Sequence, residues 1–249
     1  MNEEQGLSIK DYINKVLQDT QKAFYELTKW SERECAEYQA LLSKLDASHV
    51  DSATSREQGD ALESVVTFIF THSSIFEIYC NARTATNEID HVITLSNQGK
   101  FLLSESMINI SDFGLESDDD VIISECKNYT KPADVTNIGK FYALMQSLDV
   151  KFGLFFSYKG ITGKENSYAD AYGLIKVIRL AEKYKNRREL YIIPINADDL
   201  RSITCATDFY KLIQSKKLSL RISAVENALR SSKHENASLL TIKLNELRS

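Results

Sequence analysis

Past residue 120 the chain alternates short apolar runs with helical stretches, and this alternation limits the fold more than any other feature. Residues 121–128, 151–157 and 190–195 are brief and largely apolar, while residues 134–148 and 164–185 space their apolar side chains three and four apart. Such runs, bounded by polar or turn residues, predict buried strands, and helices between them make crossover connections. Upstream, residues 75–82 and 88–95 are strand-like, with Thr86 and Asn87 near the turn between them. A hairpin followed by strand, helix, strand, helix and strand predicts an α/β core, with a mixed central sheet flanked by helices.

Helical additions are expected at both ends. Residues 8–45 repeat apolar side chains at helical spacing (Ile9, Ile13, Val16, Phe24, Leu27, Trp30, Tyr38, Leu41) without Pro or Gly. They predict one long amphipathic helix or a helical pair, whose stripe suits a core or a homodimer seam. After a polar break at 48–54, a second helix should begin near Ser55. Thr54-x-x-Glu57 and Ser55-x-x-Gln58 are overlapping capping boxes there, and Leu62, Val65, Val66, Ile69 and Phe70 follow. Residues 96–120 are long and end acidic, and 100–109 read as added strand. Residues 197–249 read as helical and increasingly basic. The organisation is thus a helical region over 1–54, a core over 55–196 and a helical region over 197–249.

Composition narrows the class. In 249 residues, 43% are hydrophobic and only 9 Gly and 2 Pro occur, which excludes collagen-like, mucin-like and wholly disordered chains. No apolar run approaches the ~20 residues that span a bilayer, so no membrane partner is expected. Met1-Asn-Glu-Glu-Gln5 is too polar and acidic to read as a secretory signal. Cys35, Cys80, Cys126 and Cys205 are widely spaced and form no C-x-x-C pair. They are expected to be reduced thiols of a cytoplasmic protein, with no zinc site. The net charge of -5 hides an asymmetry: residues 1–126 hold 9 basic against 23 acidic side chains, and residues 127–190 hold 12 against 6. A polyanion would therefore meet a surface built from the second half.

Four residues carry the candidate chemistry: Glu63, Asp90, Glu125 and Lys127. Strand alternation puts Asp90, Val92 and Thr94 on one face and His91 on the other. The same alternation puts Glu125 and Lys127 on one face, with Cys126 opposite. If the two strands are neighbours, Asp90 and Glu125 can share one divalent cation. Mg²⁺ suits such a site, taking one or two carboxylates plus waters and a phosphate oxygen. Lys127 would then stand beside the attacking water and the phosphate, and Glu63, from the preceding helix, could complete the shell. An acid-x-Lys tripeptide arises by chance roughly three times in a chain of this composition. The second copy, Asp149-Val-Lys151, sits at a helix-to-strand junction with no acid-bearing strand before it.

Gly59-Asp-Ala-Leu-Glu63, Glu88-Ile-Asp90 and Glu125-Cys-Lys127-Asn, in that order, resemble the PD-(D/E)xK nuclease superfamily. The likeness is closest to its Mrr-like, restriction-endonuclease-like bacterial branch, and Phe152-Gly-Leu-Phe-Phe-Ser157-Tyr-Lys-Gly-Ile-Thr-Gly163 is similar to the strand and turn that follow its core helix. The resemblance covers about residues 56–195. Ile89 stands where the motif's proline would be. The resemblance implies a restriction-endonuclease-like core and a metal-dependent phosphodiesterase that cuts DNA with Mg²⁺ or Mn²⁺ in bacterial defence or DNA processing. Asp90 and Glu125 would be metal ligands, Lys127 the catalytic lysine and Glu63 the helix-borne acid. Gln146 lies near the helical glutamine of some relatives, and relatives often dimerise. Lys159, Lys164 and Lys176 are candidates either to touch phosphates or to solvate a helix face. RNA stays open as substrate, and so does a nuclease-like module that binds DNA or assembles without cutting.

Other signals point away from chemistry. His91 faces away from Asp90, and His49, His72 and His234 are isolated in sequence. Ser157 has no nucleophile elbow around it, and Gly160-Ile-Thr-Gly163 is a turn without a Walker pattern.

Overall fold

A computed structural model describes residues 9–50, 53–83, 88–105, 121–163, 169–186 and 189–222. The N-terminal stripe is a helical pair, α1 (Ile9–Thr28) and α2 (Glu32–Ala47). The break has a local cause. Ser31 caps α2, its hydroxyl accepting from the Glu34 N–H while the Glu34 carboxylate accepts from the Ser31 N–H at 2.7 Å. Trp30, buried just before it, donates to the His72 carbonyl at 3.0 Å and packs against Tyr38 and Phe68. Helix α3 (Ser55–Thr71) starts as expected, and of its two overlapping boxes Thr54/Glu57 is the one formed.

Strands β1 (Phe76–Arg83) and β2 (Glu88–Leu95) form the hairpin. The strand expected over 100–109 is not formed: Asn97–Glu105 is helix α4, and residues 106–109 lie outside the described residues. Ser96 starts this helix by accepting the Gly99 N–H at 2.9 Å. Gly99 is required there, because a Cβ on it would stand 2.0 Å from the Ile75 carbonyl oxygen. The alternating part follows as β3 (Ile122–Lys127), α5 (Val135–Ser147), β4 (Phe152–Ser157) and α6 (Asp170–Ala181), which runs into a π-helical turn at Glu182–Asn186. Then come β5 (Tyr191–Ile195), the short α7 (Ala197–Arg201) and α8 (Ala206–Ile222). Residues 164–168, where the α6 pattern was expected to start, lie outside the described residues.

The five strands form one mixed sheet in the order β1-β2-β3-β4-β5. The hairpin and β2/β3 are antiparallel, while β3/β4 and β4/β5 are parallel. Pro194 lies in β5, an edge strand of this sheet, where a residue without an N–H is tolerated. Helices cover both faces. Helix α3 lies on the face of His91, where Thr67 meets the ring at 3.2 Å. Helix α5 closes on the other face, over Gly153, where a Cβ would stand 2.7 Å from Met145 Sδ and from the Phe141 ring. The helical ends share the core of the sheet. Tyr38 of α2 donates to the Leu200 carbonyl at 2.8 Å, and one buried apolar cluster runs from Trp30 to Leu220. No helix among the described residues is long and apolar enough to cross a membrane.

Candidate active site

Register decides which side chains meet. In the antiparallel β2/β3 pair, His91 lies opposite Ser124, Val92 opposite Ile123 and Ile93 opposite Ile122. One step further, the same register sets Asp90 opposite Glu125, and directly opposed residues share a face. The Cys126 N–H donates to Asp90 Oδ2 at 2.7 Å, which ties the carboxylate to the neighbouring strand. Lys127 projects to the same side and forms an ion pair with Glu125 Oε1; their side chains are 26% and 17% exposed.

The charges are out of balance with their burial. Burial raises the pKa of Asp90, with the Cys126 N–H and Lys127 partly opposing it. Glu125 is raised by burial and then by the charge of Asp90, against the pull of Lys127. Glu63, half-buried on α3, is raised by burial and by Asp90 and Asp60, again against Lys127. For Lys127 burial pulls downward, but the charges of Glu125 and Asp90 outweigh it, and its pKa is raised. Asp90 and Lys127 therefore each lie within electrostatic reach of both Glu63 and Glu125. The buried Cys126 thiol behind them is pushed well up, first by burial and then by Asp90, Glu63 and Glu125.

Their closeness does not amount to a cage. Among the described residues, no group of three or more His, Cys, Asp or Glu is arranged to hold a metal ion. Glu63 joins the cluster through charge, while Asp90 and Glu125 are brought opposite each other by the register.

The remaining expected residues divide. Lys159 follows β4, exposed, with its Nζ 5.2 Å from the Tyr158 ring. Lys164 lies outside the described residues. Gln146 stands apart from the cluster: it sits in the last turn of α5, whereas Lys127 precedes the first turn, and it donates to Glu182 Oε1 at 3.2 Å. Glu182 is 1% exposed, and Gln146 and Tyr142 are one turn apart on α5 to serve it. His91 is on the far face as expected, bonded through Nδ1 to Ser124 Oγ at 2.8 Å, and burial pushes its pKa down to about 4.

Four residues beside the cluster, His49, Asn128, Tyr158 and Ser157, had no role assigned from the sequence. His49 is not isolated: it stacks on Tyr158 with ring centroids 3.7 Å apart and bonds through Nε2 to Asn128 Oδ1. Asn128, buried next to Lys127, donates its amide to the Gln58 carbonyl, so its oxygen accepts and His49 Nε2 carries the proton. Tyr158 donates in turn to Asp46, which pairs with Arg201 at 2.6 Å. Ser157 lies in register with Lys127 on the same face, and its buried hydroxyl has no hydrogen-bond partner among the described residues.

Comparison with models of known protein families, with curated proteins and with solved structures finds no match. The nuclease likeness therefore rests on the motif residues.

Proposed function

We propose that this chain is a divalent-metal-dependent endonuclease that hydrolyses DNA phosphodiester bonds, in bacterial defence or DNA processing. The observation that carries the reading is the β2/β3 register, which sets Asp90 opposite Glu125 with Lys127 on the same face. Asp90 and Glu125 would hold Mg²⁺ or Mn²⁺. The donor set fits such an ion: both ligands are hard carboxylates, and each keeps one oxygen without a protein donor among the described residues. Bound there, the ion would supply charge neutralisation at the phosphate and a lowered pKa for water.

The chain's own residues do the rest. The Cys126 N–H holds the Asp90 carboxylate in one orientation. Lys127 is ammonium at neutral pH, because its pKa is raised. It acts as a cation that donates to the attacking water or a phosphate oxygen, rather than as a proton acceptor. Glu63 adds negative potential around the same point. A module that binds DNA without cutting is favoured by one observation, the lack of a three-carboxylate group among the described residues.

Incubation of the purified chain with plasmid DNA and with RNA, in Mg²⁺ and in EDTA, separates these readings. Cleavage that needs the metal and is lost in Asp90→Ala is expected on DNA. Cleavage by the Asp90 variant at the parent rate refutes the assignment.

A further inference from the structure

Beyond the carboxyl ends of β4 and β5 lies a cavity of about 260 Å³, on the same edge of the sheet as Lys127. Crevices at the carboxyl ends of parallel strands are where open α/β sheets take ligands. Two lysines from different elements reach it, Lys159 from the loop after β4 and Lys216 from α8. The lining carboxylate among the described residues, Asp199, is already occupied, pairing with Lys216 at 2.8 Å and accepting the Asn196 N–H at 2.8 Å. Asn196 Oδ1 is also used, accepting the Asp199 N–H at 2.8 Å, which leaves the amide NH₂ as a donor. Gly160 and Gly163 turn the loop at φ 72° and 95°, and a Cβ on Gly160 would lie 3.6 Å from Asn196 Cβ. Among the described residues Lys216 and Asp199 offset each other, and Lys159 and the Asn196 amide add donors with no further carboxylate beside them. That set suits an anionic oxygen.

We infer that this cavity seats a backbone phosphate of a nucleic-acid strand. Its place in the sheet fits: β5 is two strands from β3, so the seat is about 10 Å from Lys127 at ~4.8 Å per strand. The inference rests on the nuclease reading only for the identity of the strand; its test requires no cleavage.

The test is an NMR titration of the ¹⁵N-labelled full chain in EDTA, following the Gly160 and Gly163 amides. The probes are the 5′-phosphorylated dinucleotide pTpT, inorganic phosphate and thymidine. Saturable shifts with pTpT are expected, roughly tenfold weaker with inorganic phosphate and absent with thymidine. Lys159→Gln and Lys216→Gln should each weaken pTpT about fivefold or more, while Lys140→Gln on α5 changes it less than about twofold. Lys159 is exposed, so its variant folds even if removing the Lys216 pair disturbs α8. No saturable shift with pTpT, equal shifts with thymidine, or parent affinity in Lys159→Gln overturns the inference. Binding of this kind by a chain that leaves plasmid intact in Mg²⁺ keeps the phosphate seat and discards the nuclease reading.

Discussion

The two faces of the β2/β3 pair are built from alternate residues of the same strands, yet they obey opposite rules. On the α3 face, His91 is bonded at both ring nitrogens, to Ser124 at 2.8 Å and to Thr67 at 3.2 Å, and it is fully buried. On the other face Asp90, Glu125 and Lys127 are half-buried and charged, with burial raising both acids. The first face satisfies its polar groups and keeps them neutral, which is how a buried polar cluster contributes to stability. The second leaves charge incompletely offset, an arrangement found where perturbed groups do chemistry. Adjacent residues can therefore be assigned different work by face alone, without recourse to residue type.

The largest effect that would break this contrast is on activity. Lys127→Ala should lower plasmid cleavage by about 10³-fold or more, as loss of a charge-stabilising donor does. Its circular dichroism should match the parent, because Lys127 is not part of the apolar core. Cleavage within tenfold of the parent would leave the two faces functionally alike.

Next in size is a pH effect on folding. His91 has a folded pKa of about 4 against an ordinary 6.5, so the unfolded chain binds more protons between those values. Stability is lost as pH falls from 6.5 to 4, approaching about 3 kcal/mol below that window. The raised acids run the other way: the folded chain holds their protons more tightly, so they lose stability as pH rises through their folded pKa values. In Glu125→Gln the opposing contribution is smaller, and the acid-side fall in unfolding free energy should steepen. Urea unfolding at pH 7 and pH 4.5 reads both; an unchanged slope would mean that the faces do not titrate oppositely.

Much of this contrast could be read from the chain. Period-two alternation alone separated Asp90 from His91 and Glu125 from Cys126, because a strand's faces are a local property. Thr54 and Glu57 gave the start of α3 for the same reason. The register of Glu125 against Asp90 was beyond reach, since residues 96–120 intervene and pairing across such a span is set by packing rather than by neighbours. The apolar run Phe101-Leu102-Leu103 suits strand and helix equally, and Ser96 and Gly99 decide it through a cap and a close approach to Ile75. His49 meets Asn128 across 79 residues of sequence, and no local spacing announces that contact.

A smaller effect tests the α3 face directly. Thr67→Val removes the hydroxyl that meets His91 Nε2 and lies 3.5 Å from Cys80 Sγ. The shape is nearly kept, so the loss should be that of a buried partner left unpaired, about 1–2 kcal/mol. Denaturant midpoints report it, and the cleavage rate should hold, because the proposed site lies across the sheet. A cleavage loss as large as that of Lys127→Ala would couple the faces and weaken the division.

The smallest effect has the opposite sign and sharpens the comparison most. Asp90→Asn keeps an oxygen to accept the Cys126 N–H at the position where Asp90 Oδ2 accepts it at 2.7 Å, but removes the charge. Because burial raises the Asp90 pKa despite that N–H and Lys127, the ionised form is less favourable in the folded chain than in the unfolded one. Neutralising it should therefore raise Tm at pH 7 while abolishing cleavage. Gain of stability with loss of activity at one residue marks a group retained for its chemistry rather than for the fold. A fall in Tm would show instead that the attraction between Asp90 and Lys127 outweighs the burial of the charge. The carboxylate face would then stabilise the fold by the same logic as the face behind it.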